Sequence, residues 1–221
     1  MANNFFNAIK RNVSADSTLP TALYTVPSEK KAILIELDVA NKSTAGVTVT
    51  VQIEDESANV GGSGNGYTAS AIATNTTGLI TTTSSAVHGL AVNDRLEFTN
   101  ATDTSFTDAS LPPSGDTALS ETRMYYVQSV PSTTTFTIAE SKSASSPLTF
   151  DTNGNSVLWK RIYLADIVRD APVPVGGTLK VISGQKLVLE STAANNNDKI
   201  YAYCSSANNV DCIASVLEDV S

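Results

Sequence analysis

Between residues 32 and 54 the chain alternates with a period of two. Ile33, Ile35, Leu37 and Val39 interleave with Leu34, Glu36 and Asp38. After the polar loop Asn41-Lys42-Ser43-Thr44-Ala45-Gly46, Val47, Val49, Val51 and Ile53 interleave with Thr48, Thr50, Gln52 and Glu54. That period places every second side chain on one face of an extended strand. The two segments predict an antiparallel pair with one face buried. Composition points the same way. Ser and Thr make up about a quarter of the chain, well above ordinary usage, and Thr favours strands while Ser favours turns.

Shorter strands frame this pair. Leu23-Tyr24-Thr25-Val26 ends at Pro27. Ile162 to Val168 reads as one strand or two, and Pro172-Val173-Pro174-Val175-Gly176-Gly177 as a turn. Leu179–Ile182 and Lys186–Glu190 flank Ser183-Gly184-Gln185 as a tight hairpin. Ile200–Cys204 and Val210–Leu217 flank residues 205–209 as a second hairpin. About eight strands suit a two-sheet antiparallel sandwich, jelly-roll-like.

The middle of the chain has its own pattern. Four glycines lie within Val60-Gly61-Gly62-Ser63-Gly64-Asn65-Gly66, and a second polar patch is Asp151-Thr152-Asn153-Gly154-Asn155. Between them lie Leu79–Thr83, His88-Gly89-Leu90, Asp94–Phe98, Met124–Val127 and Thr135–Ile138, four or five short β segments in Ser/Thr-rich loops. The expected organisation is an N-terminal arm over 1–20, a discontinuous sandwich over 21–60 and 156–221, and a small β-barrel or β module inserted at 67–152. In the arm, Phe5, Ile9 and Val13 recur at four-residue spacing, which predicts a short helix over 4–13 or an arm that docks on a neighbouring subunit.

Charge and composition exclude several functions. The net charge is −8 and the pI about 4.6, with 14 Lys and Arg, which is the wrong electrostatics for a nucleic-acid binder. No run of 18 apolar residues occurs, so no membrane partner is expected. The start of the chain lacks a basic segment followed by an apolar core, and the expectation is a protein made and kept in a cytoplasm with reduced cysteines.

Few residues suggest chemistry. His88 is the only histidine, no nucleophile signature surrounds it, and a ring that fixes a turn is its expected role. A zinc site would need Cys204, Cys212 and a histidine from another domain. The two cysteines face each other across the second hairpin, as free thiols or as a cross-strand disulfide. The glycine run is not followed by Lys-Ser/Thr or a helix pattern, so it is not a phosphate loop. Asp103, Asp108, Asp116 and Glu121 lack calcium-loop spacing, and Asn100-Ala101-Thr102 is a chance glycosylation triplet. Catalytic, metal and cofactor-binding residues are therefore none, and no cofactor is implied.

Two groups of motifs are familiar. Thr21–Pro27, the charged turn before Ala32-Ile33-Leu34-Ile35, Ala171–Gly177, Gly184-Gln185-Lys186 and Val210–Glu218 resemble a small β-sandwich family of tailed-bacteriophage virion proteins, particularly those of marine and cyanobacterial phages. Thr81-Thr82-Thr83, His88-Gly89-Leu90, Asn93–Phe98, Tyr125-Tyr126-Val127 and Thr134–Ile138 are similar to a repeat of phage structural and tail proteins, in which Gly usually stands where this chain has Asn93. The resemblance implies a non-enzymatic virion component, assembled in a host cytoplasm. The expectation is a capsid decoration or cement protein that binds the major capsid protein or other virion proteins as a homo-oligomer, a trimer. A collar, neck or tail-fibre component with a receptor-binding insert is the alternative, and a carbohydrate-binding module the second. Phe5, Phe6 and Ile9 are candidate anchors, and Tyr201 and Tyr203 candidate interface residues on the outer face of their strand.

Overall fold

The computed structural model describes residues 4–56, 68–72, 78–82, 87–99, 119–120, 122–150, 154–193 and 196–218. The glycine run at 60–66, the acidic residues Asp103, Asp108, Asp116 and Glu121, Asn100 and most of the patch at 151–155 lie outside them. The described residues form an all-β, largely antiparallel protein without an α-helix. It divides into two compact units, residues 1–58 with 163–221, and residues 59–162.

The first unit is a sandwich. Its strands are β1 (Asn4–Lys10), β2 (Thr21–Thr25), β3 (Lys31–Asn41), β4 (Val47–Glu54), β11 (Leu164–Val173), β12 (Thr178–Ile182), β13 (Leu187–Ala193), β14 (Asn196–Asn197), β15 (Lys199–Cys204) and β16 (Val210–Glu218). One sheet runs β1-β16-β3, and the far edge of β3 is shared by β12 and β13. The other runs β11-β4-β15-β2. The pairs β4–β11, β3–β12/β13, β2–β15 and β1–β16 are nested, one inside the next, along a chain that passes back and forth between the two sheets. That is the jelly-roll connection. The core between the sheets includes Leu23, Leu34, Leu37, Val39, Val49, Val51, Leu189, Ile200 and Val216, all essentially inaccessible.

Several local expectations are corrected by this topology. β3 and β4 are not neighbours, because they lie in opposite sheets. An amphipathic strand buries its face equally well beside a partner or against a facing sheet, so alternation does not distinguish the two. β12 and β13 do not form a hairpin with each other. They follow one another along β3, Ile182 opposite Leu37 and Leu187 opposite Leu34, with Gly184 at φ 76° in the break. β15 and β16 likewise belong to different sheets.

The predicted helix over 4–13 is the edge strand β1 and a loop. A spacing of four is also a multiple of two, so Phe5 and Ile9 share one face of a strand as readily as of a helix. Val13, the third member of the series, lies in the core, and its N–H donates to the Val210 carbonyl at 2.9 Å. The face assignment of β3 is also half reversed. The register with β16 shifts between Ser215 and Val216, so Ala32 and Leu34 point inward before the bulge and Leu37 and Val39 after it. Ile33, placed with the inward set by simple alternation, faces outward.

The second unit is a six-stranded closed barrel. Its strands are β5 (Thr68–Ile72), β6 (Ile80–Thr82), β7 (Arg95–Thr99), β8 (Met124–Ser132), β9 (Thr135–Ala139) and β10 (Gly154–Ile162), in the order β10-β5-β6-β9-β8-β7 and back to β10. Closure removes the sheet edges that a small open sheet would expose. Trp159, Phe98, Phe136, Tyr125, Leu96 and Ile138 fill the barrel. The whole of β10 belongs to it, so the boundary falls after Ile162 rather than near residue 152. The barrel occupies the connection between β4 and β11, where Glu54 and Leu164 are direct partners.

Candidate functional site

The β1 edge gathers three of the five residues expected to make assembly contacts, Phe5, Phe6 and Ile9. β1 pairs with β16 in unbroken register from Asn4↔Glu218 to Lys10↔Cys212. Phe5, Asn7 and Ile9 project from the outer face, with Phe5 60% and Ile9 56% exposed. Phe6 and Ala8 turn inward against the core, and the Phe6 ring lies 6.2 Å from that of Tyr24. The Tyr24 hydroxyl donates to Glu218 Oε1 at 2.7 Å, which ties the end of β16 to the opposite sheet.

The outer row continues across the sheet. Phe5 is opposite Leu217, Leu217 is opposite Ile33, and Ile33 is opposite Val188, itself 62% exposed. Two rows along, beyond the polar pair Asn7 and Ser215, Ile9 faces Ile213. Sequence reading missed the half-buried Leu217 and Ile33 and the exposed Val188 as members of this outer face. Their alignment depends on pairings between distant segments and on the bulge in β3.

Tyr201 and Tyr203 lie on β15, between β4 and β2, while Ile200, Ala202 and Cys204 enter the core. Tyr201 is buried, and its hydroxyl donates to Glu54 Oε2 at 3.1 Å. Lys199 Nζ donates to the same oxygen at 3.2 Å and to Glu56 Oε1 at 3.3 Å. Asp198 completes the cluster by accepting the Glu56 and Glu190 N–H groups at 3.0 and 2.9 Å. Burial pushes its carboxyl above the usual range, against the pull of those two bonds. Every charge here has a partner, so the cluster serves the fold. Tyr203 is half-buried.

His88 holds a barrel loop with both ring nitrogens. The Leu90 N–H donates to Nδ1 at 2.9 Å, which leaves the proton on Nε2, and Nε2 donates to the Ser132 and Thr135 carbonyls at 3.0 and 3.3 Å. The ring packs edge-on against Phe136 at 5.4 Å. Nearby, Asn93 adopts the left-handed conformation at φ 74°, the kind of position glycine suits best, and Asp94 bonds the Ala91 N–H and Arg161. A shallow groove of about 420 Å³ on the barrel is lined by polar groups including Asn93, Gln128, Ser129, Ser141 and Lys142.

Cys204 and Cys212 are free thiols in opposite sheets, not cross-strand partners in a hairpin. Burial pushes both thiols up, Cys212 to about 12, helped by the neighbouring Cys204 and Asp211. The thiolate is the reactive form. The native protein is therefore expected to give no fast reaction with a thiol-specific disulfide reagent at pH 8, and two equivalents after unfolding. A prompt native equivalent would show that one sulfur is exposed.

No cluster of His, Cys, Asp and Glu able to hold a metal ion occurs among the described residues. Fold and surface together define a jelly-roll sandwich that carries a closed barrel in one hairpin connection and exposes one apolar edge. Comparison with family models, with curated proteins and with solved structures gives no match for this chain.

Proposed function

We propose that this chain is a non-enzymatic structural component of a virus particle, a decoration or cement protein held on the outer capsid surface as an oligomer. The observation that carries the reading is the exposed apolar edge of a rigid sandwich, built from Phe5, Ile9 and the row behind them. Strand edges of this kind take another chain by adding it to the sheet. Copies bound on a lattice act together, so each contact can be modest. The resemblance to tailed-phage virion proteins supplies the setting. The polar groups favour scaffold over catalysis, since His88 is committed to backbone partners and Glu54, Glu56 and Lys199 to one another.

A neck or tail component with a receptor-binding insert is the second reading, favoured by the polar groove on the barrel. A carbohydrate-binding module is the weaker one, because Trp159, its natural stacking platform, is 2% exposed.

Copy number tests the proposal. Quantitative mass spectrometry of purified particles, ratioed to the major capsid protein, is expected to give hundreds of copies. A handful in multiples of three, five or six would move the protein to the neck or tail. Absence from the particle would overturn the virion reading.

A further inference from the structure

The sandwich manages its sheet edges unequally. Edge strands invite pairing and are ordinarily blunted by bulges, prolines, charges or shortness. β11 carries two register shifts, Pro172, Asp166, Arg169 and Asp170. β2 has five residues and lies between Pro20 and Pro27. The far edge of β3 is broken into β12 and β13. β1 has one of these devices only, the charge of Lys10 at its last position. It is seven residues long, regular, free of Pro, Asp and Glu, and has β16 as its sole strand partner among the described residues.

We propose that β1 pairs with β1 of a second copy, antiparallel across a two-fold axis at Asn7, and joins two sheets into one. Three properties of the edge select a second copy as the occupant. The first is the side-chain pattern. About Asn7 the outer face reads Phe5-Asn7-Ile9, so the axis sets Phe5 opposite the partner's Ile9 at both ends. On the inner face it sets Phe6 opposite Ala8, a large residue against a small one. Aromatic–β-branched pairs of this kind stabilise adjacent strands.

The second property is charge. Lys10 and Arg11 stand at one end of the edge, and Glu218, in register with Asn4, at the other. The antiparallel arrangement brings the basic end of each copy to the acidic end of its mate and keeps the two Lys10 about 20 Å apart. A parallel arrangement would place them side by side.

The third is continuity. Val188, Ile33, Leu217 and Phe5 form one apolar row, and Ile9 and Ile213 another. Two-fold pairing joins the first row of each copy end to end with the second row of its mate. Two rows of six apolar side chains then cross the joint. The isologous pair is self-limiting, because it consumes the open edge of both copies. It is a two-fold assembly, where the resemblance implies a trimer, and it stands whether or not the protein works in a virion.

Register-specific cross-linking of the full chain tests the pairing. Asn7, Phe5 and Ile9 are exposed, and the native thiols are buried. Under oxidation Asn7→Cys is expected to give a covalent dimer, Ile9→Cys alone little, and an equal mixture of Phe5→Cys and Ile9→Cys a covalent dimer again. Sedimentation of the unmodified protein is expected to give a dimer mass that Ile9→Lys abolishes without loss of the β-type circular dichroism. A monomer or trimer mass for the unmodified protein would overturn the pairing. So would a dimer that cross-links equally through Asn7→Cys and Ile9→Cys. Either result would leave the copy-number test of the virion reading untouched.

Discussion

Replacing Trp159 with alanine is expected to destabilise the barrel by about 3–5 kcal/mol, the range for emptying a large aromatic site in a packed core. Trp159 is 2% exposed on β10, the strand that pairs with both β5 and β7 and closes the barrel. Its ring meets Phe136 edge-on at 5.3 Å, and Phe136 in turn carries His88. Truncation removes the largest ring of that series and leaves Phe136 without its partner on one side, and the closed strands around it have little freedom to collapse. Trp159→Phe should cost far less. It keeps an aromatic against Phe136 and removes the indole Nε1, a buried donor that has no hydrogen-bond partner. Thermal or urea unfolding followed by tyrosine fluorescence would compare the two. Equal losses would mean that the indole N–H is satisfied in solution and that size alone does not govern the site.

Gly78→Ala is expected to be at least as severe. Gly78 has φ +64°, where an L side chain costs about 1–2 kcal/mol by itself. A Cβ built there would also overlap the carbonyl oxygen of Leu148 and lie 2.9 Å from its carbonyl carbon. Leu148 cannot simply retreat, since its N–H donates to the Ile138 carbonyl at 2.8 Å on β9. The strand β6 begins two residues later, so the displaced backbone would pull on the barrel's own pairing. A combined loss above about 4 kcal/mol places this substitution among the exceptional ones. A melting temperature within a degree or two of the unsubstituted protein would show that the 78 and 148 backbones are not held together as described.

The sequence carried the fold class because alternation and hydroxyl content both report local geometry. It carried the inserted module because the glycine run and the change of pattern mark it. Strand neighbours were a different matter. β3 and β4 look like a hairpin from their spacing, yet the chain crosses between sheets at that loop, and side-chain period carries no record of it. The outward turn of Ile33 depends on a single bulge opposite Ser215 and Val216, which no local residue announces. The candidate anchors Phe5 and Ile9 were visible as apolar residues in a polar segment, with the wrong secondary structure attached. Tyr201 was assigned to the outer face by period alone, while its burial against Glu54 needed the neighbouring strand.

The nesting of the strand pairs has a kinetic consequence. A jelly roll of this connectivity can zip from its innermost pair, β4 with β11, outward to β1 with β16, whose partners are some 200 residues apart. The innermost step looks expensive, since about 110 residues separate Glu54 from Leu164. The barrel changes that cost. Once it folds, Thr68 and Trp159 are paired, and only some twenty residues of chain remain to be closed. The saving is on the order of 1–2 kcal/mol in the barrier to starting the zipper. On that route the insert would act as a clasp that turns a long-range closure into a local one, and the β1 edge would be the last part of the sandwich to form.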